Sequence, residues 1–399
     1  MLFKNRIETW LVLIVIAVGA VLAFVAGLFV YVKATSTPLH PDPKKVPSAT
    51  RSAPVPKWAD AIERGRQLAR TGLTDQNLPG LSVAVGVGGD VVWAEGFGWA
   101  DLEKRVGVTP DTRFRIGSAS KALTSAAAGL LLEKGRLKLD DEIQTYVPAF
   151  PKKQWPVTVR QLMGHMAGIR QDGGGEEDVF THCQRPVDGM QRFAGEPLRF
   201  EPGTQYRYSN YGWILVSAAI ETAAAEPFSR FMRAQIFDPL DMHDTKPDDT
   251  TEANRANQYF PRFAANPLYG PQEPDELDFS CFSGSSGFLS TPSDLVRFVM
   301  AVNSGKLLQP ATVQLLQTSQ RLTSGQETGY GLGWDLETVT LAGKPTQVVG
   351  YDGELRGGMV ASFLTYPERG IVVAVTSNTS FADTASVASR IAEAFAATK

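Results

Sequence analysis

The chain has 399 residues, with 39 basic and 42 acidic side chains, a formal net charge of −3 and a pI near 5.9. At 43% apolar and 20% charged residues it has globular composition and enough length for one large or two intimate domains, which excludes disordered and fibrous classes. No basic excess or Lys/Arg-rich run is available to neutralise phosphates, so nucleic acid is not an expected partner.

After a short tail, 1–9, the residues from Trp10 to Val32 carry no charge. As a helix they would extend about 35 Å, enough to cross a bilayer core. Lys4 and Arg6 precede the stretch and Lys33 closes it, while Trp10 and Tyr31 stand where interfacial aromatics belong. The apolar run exceeds a usual signal-peptide core, and Val32-Lys33-Ala34 is a poor small-x-small cleavage site, so 10–32 reads as an uncleaved anchor. Charge counting does not settle which side the rest occupies, because a large domain follows.

Residues 33–57 are rich in Pro, Ser and Thr and read as an extended spacer. From Trp58 onward the pattern is that of a folded domain running to residue 399. Trp58, Ala61, Ile62 and Leu68 recur at helical spacing, and Leu81–Val87 and Asp90–Ala94 form a strand pair turned at Gly88-Gly89. Ala122–Lys134 is helical and ends at Gly135. Helical patterns at Val159–Met166 and Trp213–Ala223 belong to a mostly helical lobe spanning about 123–279. Strands return at Gln347–Gly350, Met359–Tyr366 and Ile371–Thr376, and an amphipathic helix covers Ala382–Ala397. Strands at both ends with helices between them predict an α+β architecture, one sheet interrupted by a helical insert.

Candidate chemistry begins at Ser118 and Lys121, three apart at the start of a helix and so on one face of it. Backbone N–H groups there stabilise developing negative charge, and a desolvated lysine loses its proton more easily, which is how a serine becomes a nucleophile without histidine. Tyr208 and Asn210 form a Y-x-N element directly before a helical run, and Tyr351-Asp352-Gly353-Glu354 lies at a late strand. Elsewhere the readings are plainer. His165 is expected to pack or hydrogen-bond on a helical turn, and His40, His182 and His243 make no ligand cluster. With no H-E-x-x-H or G-x-S-x-G motif, neither a metal, a cofactor nor an α/β-hydrolase elbow is expected; Ser285 is placed in a loop lining the cleft. Trp93, Trp99, Trp213 and Trp334 read as core. Cys183 and Cys281 are too few for a disulfide framework and read equally as one bridge or two buried thiols.

The order of S-x-x-K, Y-x-N and the Tyr351–Glu354 element resembles the serine β-lactamase and penicillin-binding-protein family, in which such segments meet in one cleft. Pro79–Ala84, Gly96–Asp101, Thr109–Gly117, Val159–Gly168 and Gly287–Asp294 carry the resemblance further, over Trp58 to the C-terminus. The opening and Tyr146–Pro151 resemble class C-type esterases, D-aminopeptidases and a mitochondrial branch of the family.

The resemblance implies a β-lactamase/transpeptidase-like fold: an antiparallel sheet flanked by helices, with an inserted α lobe. It implies Ser118 as acylated nucleophile, Lys121 as its activator and Tyr208 as proton shuttle. Asn210 would orient a substrate amide, and the backbone N–H groups of Ser118 and Glu354 would form the oxyanion hole. Tyr351, with Gly353 and Glu354 in the substrate-binding element, stands where the family places lysine or histidine, while Asp352 and Glu354 add negative charge nearby. A neutral tyrosine cannot attract the carboxylate of a β-lactam or a cell-wall peptide unless Arg356 substitutes. The expected function is a membrane-anchored serine hydrolase of a neutral peptide, amide or ester, with small-molecule or peptide substrates. The alternatives are a β-lactamase or D,D-peptidase, and a binding or scaffolding protein that kept the fold. The resemblance also implies a single-pass protein of a bacterial inner membrane with its domain in the periplasm, where Cys183 and Cys281 would be free to pair.

Overall fold

Two sets of strands, far apart in sequence, close into one antiparallel sheet. The computed structural model describes residues 2–51, 55–171, 182–248, 254–274, 277–355 and 358–398. Helix α1 (Leu2–Thr35) leads to β1 (Ser48–Thr50), α2 (Ala59–Asp75), β2 (Gly80–Val87) and β3 (Asp90–Asp101). The middle of the chain supplies α3 (Ser120–Glu133), α4 (Asn210–Ala224) and α5 (Pro292–Asn303), and the C-terminal part supplies β4 (Asp335–Leu341), β5 (Lys344–Leu355), β6 (Met359–Tyr366), β7 (Ile371–Ser377) and α6 (Thr384–Ala396). The strands lie in the order β1-β3-β2-β7-β6-β5-β4, and the pairing of β2 with β7, Val83 opposite Val375, joins the two ends of the domain.

Alternation along the strands divides the core in two. Val83, Val85, Val373 and Val375 face α2 and α6, where Leu73, Val387, Ile391 and Phe395 complete one layer. Ala84, Val372, Ala374 and Phe363 face the other way, against Leu123 of α3, Trp213 of α4 and Val296 of α5. Because both faces are covered, Ile371–Val375 reads as an unbroken apolar run although its neighbours are antiparallel. Helix α3 passes through the centre of the protein, buried on nearly every side, and its run of Ala122, Ala126, Ala127 and Ala128 lets its neighbours approach closely.

Three features differ from the sequence reading. The stretch read as a spacer is partly docked: β1 pairs with β3 (Thr50 opposite Glu95), the Leu39 amide donates to Asn77 Oδ1 at 2.7 Å, and Val46 joins the core. Its prolines remove N–H donors, but Ser48-Ala49-Thr50 keeps enough of them to pair at a sheet edge. The Val159 helix, started by a Thr158–Gln161 capping box, stops at Met163, because Gly164 follows and His165 turns left-handed at φ +57°. The lobe also contains a small sheet of Phe114–Arg115, Phe288–Ser290 and Lys246–Pro247, whose strands are too short to show periodicity. Cys183 and Cys281 form a disulfide.

Candidate active site

The chain enters the site through Phe114–Arg115, whose Arg115 is fully buried and held by Asp248 at 2.6 Å and the Leu277 carbonyl at 2.9 Å. Gly117, at φ +51°, then reverses the backbone into a single 3-10 turn, Gly117–Ala119, that runs straight into α3. Ser118 therefore sits at a helix N-terminus, almost buried, and its amide has no intramolecular acceptor among the described residues. One turn on, the fully buried Lys121 brings its ammonium group back beside Ser118.

Four oxygen atoms surround Lys121 Nζ: Ser118 Oγ at 2.9 Å, Tyr208 OH at 2.6 Å, Asn210 Oδ1 at 2.7 Å and the Ser285 carbonyl at 3.1 Å. Ser118 Oγ and Tyr208 OH are themselves 2.5 Å apart. Asn210 Oδ1 and the Ser285 carbonyl can only accept, whereas the two hydroxyls can donate or accept. A neutral amine satisfies the set by donating to the two obligate acceptors and taking a hydroxyl proton on its lone pair. An ammonium satisfies it by donating a third N–H to a hydroxyl. Either protonation state fits the same heavy-atom positions, so a proton can move among Ser118, Lys121 and Tyr208 without rearrangement.

Helix α4 fixes two of these groups. Ser209 caps it, accepting from the Gly212 amide at 3.3 Å, which places Tyr208 just before the helix and Asn210 in its first turn. Asn210 Oδ1 also accepts from Ser285 Oγ at 3.1 Å, and Ser285 lies in the short helix Ser283–Ser286 rather than a loop. His165 packs behind Tyr208 with ring centroids 4.5 Å apart, and its Nδ1 accepts from the Ser209 amide at 3.1 Å. Burial, and then the charge of Lys121, hold His165 well below its ordinary pKa, so it supports the tyrosine as a neutral ring.

The opposite wall is β5. A Cβ added to Gly353 would lie 2.4 Å from the Ile116 carbonyl oxygen and 2.6 Å from the Ala119 amide nitrogen, so only glycine lets this strand touch the Ser118 turn. Tyr351, two residues earlier and on the same face, is buried, with its hydroxyl 3.0 Å from that of Tyr330. Burial and then the neighbouring phenol of Tyr208 push Tyr351 well above the usual tyrosine range, which keeps it uncharged.

The negative charge expected beside the site from Asp352 and Glu354 is not there. Alternation turns both side chains to the other face of β5: Asp352 Oδ1 accepts from Ser362 Oγ at 2.6 Å, and Glu354 Oε1 accepts from the Phe381 amide at 3.0 Å. Arg356 lies outside the described residues. The acid that does reach the site is Asp335, at the first position of β4. Burial raises its pKa to about 6, while the Asp352 amide, as a hydrogen-bond donor, and the Lys121 charge pull it down. Asp335 in turn adds to the burial that lifts Tyr206 to about 12. No motif marked Asp335, Tyr330 or the Ser285 carbonyl, since each enters through tertiary packing.

No group of three or more His, Cys, Asp or Glu side chains suited to a metal ion occurs among the described residues. A cavity of about 910 Å³ lies elsewhere, between Arg185, Glu221, Phe228, Asp248 and Asp278, and none of Ser118, Lys121 or Tyr208 lines it. Three of its acids are committed structurally, Glu221 to Arg185 at 2.7 Å, Asp248 to Arg115 and Asp278 to His182.

The sequence and the fold have counterparts in known proteins. The human (Homo sapiens) "Serine beta-lactamase-like protein LACTB, mitochondrial" is 28% identical over 85% of this chain and 80% of its own. The solved structure of EstCE1, a hydrolase with promiscuous acyltransferase activity, superposes with a TM-score of 0.70 at 24% identity, covering 84% of this chain and 98% of its own. D-amino acid amidase from Ochrobactrum anthropi SV3, complexed with L-phenylalanine amide, gives a TM-score of 0.69 at 22% identity, over 84% and 98% of the two chains. These likenesses carry the fold, and the family model described as Beta-lactamase matches residues 66–397, the whole of the sheet beyond β1 together with the lobe that bears Ser118 and Tyr208; the chain belongs to the β-lactamase family of serine hydrolases and penicillin-binding proteins.

Proposed function

We propose that this protein is a membrane-anchored serine hydrolase that forms an acyl-enzyme on Ser118 and acts on a neutral amide, peptide or ester. The observation that carries the reading is the closed triangle of Ser118 Oγ, Lys121 Nζ and Tyr208 OH, with edges of 2.9, 2.6 and 2.5 Å. Ser118 Oγ attacks the substrate carbonyl carbon while its proton passes to Lys121 or Tyr208. The oxyanion forms against the unpaired Ser118 amide and the Glu354 amide across the contact that Gly353 permits. As the tetrahedral species collapses, Tyr208 delivers the proton to the leaving nitrogen or oxygen. Water then repeats the sequence on the acyl-enzyme and frees Ser118.

Substrate preference follows from the wall of β5 and β4. Tyr351 is neutral with its hydroxyl engaged by Tyr330, and the charge of Asp335 is felt at Tyr351, so this wall offers a carboxylate no cation of its own in place of the family's lysine or histidine. That EstCE1 is a hydrolase with promiscuous acyltransferase activity, and that the Ochrobactrum anthropi SV3 protein is a D-amino acid amidase, agrees with this preference. Anchoring is supported by α1, whose residues from Trp10 to Tyr31 leave their apolar side chains exposed, Phe29 alone among the rings packing on the domain. The Cys183–Cys281 bridge supports an oxidising compartment such as the periplasm.

The test is labelling of the purified full-length protein with a fluorophosphonate probe and, separately, a fluorescent penicillin, each beside Ser118→Ala. Labelling by the phosphonate that is lost in the variant supports the proposal. Penicillin labelling of equal rate would favour a cell-wall peptidase or β-lactamase, and silence with both probes would favour a binding protein.

A further inference from the structure

The chain that leaves α1 does not run free. Phe29, near the end of the apolar stretch, packs edge-on against Phe263 at 5.4 Å and Tyr269 at 5.5 Å. About two turns later, Ser36 Oγ donates to the Tyr269 carbonyl at 3.1 Å, and Arg262 Nη2 donates to Ser36 Oγ at 3.3 Å. All these partners belong to one hairpin, Phe260–Pro261 paired with Pro271–Gln272. Beyond Ser36 the chain stays pinned: the Leu39 amide to Asn77 at 2.7 Å, His40 Nε2 to the Pro79 carbonyl at 3.1 Å, and β1 in the sheet.

Helix geometry then fixes where this hairpin lies. A hydrocarbon core of about 30 Å, at a rise of about 1.5 Å per residue, takes up roughly 20 residues. Counted from Trp10, the core ends at about residue 30, beside Phe29, so the rings of Phe263 and Tyr269 stand where hydrocarbon gives way to head groups. The hairpin's surface suits that layer. Leu268 is 50% exposed, and Phe381, packed on Phe260 at 5.7 Å, is 40% exposed. The tip carries Ala264 and Ala265 at φ +53° and +50°, a backbone conformation in which glycine is ordinary and alanine is strained. Methyl groups held there at a cost enlarge the apolar tip.

We propose that the 260–272 hairpin is an interfacial foot that inserts Leu268 and its neighbours into the head-group layer of the bilayer crossed by α1. It gives the domain a second point of contact, so that the catalytic lobe is held at one height and one orientation rather than tethered at the end of a loose spacer. The inference rests on reading α1 as an uncleaved anchor.

Because Cys183 and Cys281 are bridged, Leu268→Cys introduces a free thiol for one nitroxide label, with Ser324→Cys at an exposed turn as the reference. The full-length protein is reconstituted in phosphatidylethanolamine/phosphatidylglycerol vesicles, washed with alkaline carbonate, and examined by power-saturation EPR. The expected result is a label at 268 several-fold more accessible to oxygen than to aqueous nickel chelate, against the reverse at 324. Retention in the vesicles with equal chelate access at both sites overturns the foot and leaves the anchor intact. Release by carbonate overturns both. A label at 268 that is shielded but broadened as protein-to-lipid ratio rises shows a second copy covering the hairpin, and also overturns the proposal.

Discussion

Replacing Gly353 with alanine tests the site with the smallest possible perturbation, one methyl group. Its Cβ would stand 2.4 Å from the Ile116 oxygen and 2.6 Å from the Ala119 nitrogen, both backbone atoms that cannot rotate aside. An ordinary contact needs about 1 Å more, so β5 must retreat by that amount from the Ser118 turn or the turn must deform. Gly353 is not held at positive φ, so the penalty is steric, about 1–3 kcal/mol of stability for an overpacked position. Turnover should fall further than stability, because an oxyanion donor displaced by ~1 Å costs on the order of 10²-fold in rate. The assay is kcat/KM on a p-nitrophenyl ester together with the fluorophosphonate labelling rate and a thermal melt. Gly343→Ala is the control: it lies in the β4–β5 turn at φ +73° with open space around it, so it costs about 1 kcal/mol of stability and leaves kcat/KM alone. A Gly353→Ala protein with unchanged kcat/KM would refute both the closeness of the strand and the oxyanion assignment.

Ser118→Ala should abolish turnover, and Lys121→Ala should lower it by about 10²–10⁴-fold in single-turnover acylation, since both act on one step; a Lys121→Ala enzyme within tenfold of the parent would remove lysine from the mechanism. Asp335 gives a pH test of stability. Its folded pKa of about 6 lies above the ordinary 3.8, so the fold binds its proton more tightly than the unfolded chain does, and the associated stability is full below about 4 and lost as pH rises through 6. That gap is worth at most roughly 3 kcal/mol. Asp335→Asn should therefore raise the urea midpoint at pH 7.5 and leave it unchanged near pH 4, and an equal change at both pH values would show that its burial is not what matters. Finally, of two esters alike except for a carboxylate beside the scissile bond, the neutral one should have at least tenfold higher kcat/KM, and parity would overturn the specificity assigned to Tyr351 and Asp335.

What could be read from the sequence was what is local. Ser118 and Lys121 share a helix turn, and Tyr208 and Asn210 flank one cap, so their spacing alone encodes their mutual approach. Val373, Val375 and their neighbours announce a strand because a side chain every second position must face a core. The same alternation misled the reading of Asp352 and Glu354: the sequence shows two acids beside the motif, but with Tyr351 and Gly353 facing Ser118 the pleat sends both acids behind the sheet. Asp335 was illegible for the converse reason. It belongs to no motif, and it reaches the site because β4 begins opposite Gly350 while β5 runs on along β6, so that its carboxyl takes the Asp352 amide just past the start of β4. The docked segment 37–50 was hidden by composition, since proline content reports the loss of donors and not the few that remain to pair. The spacing of the reactive groups is thus written at short range, whereas Asp335 is placed by strand pairing and the end of α1 by a contact between distant segments, Ser36 with Tyr269, across a separation of 233. Two members of this family with identical motifs therefore need not share a substrate, and the residues to compare between them are those at the start of β4 and on the inward face of β5.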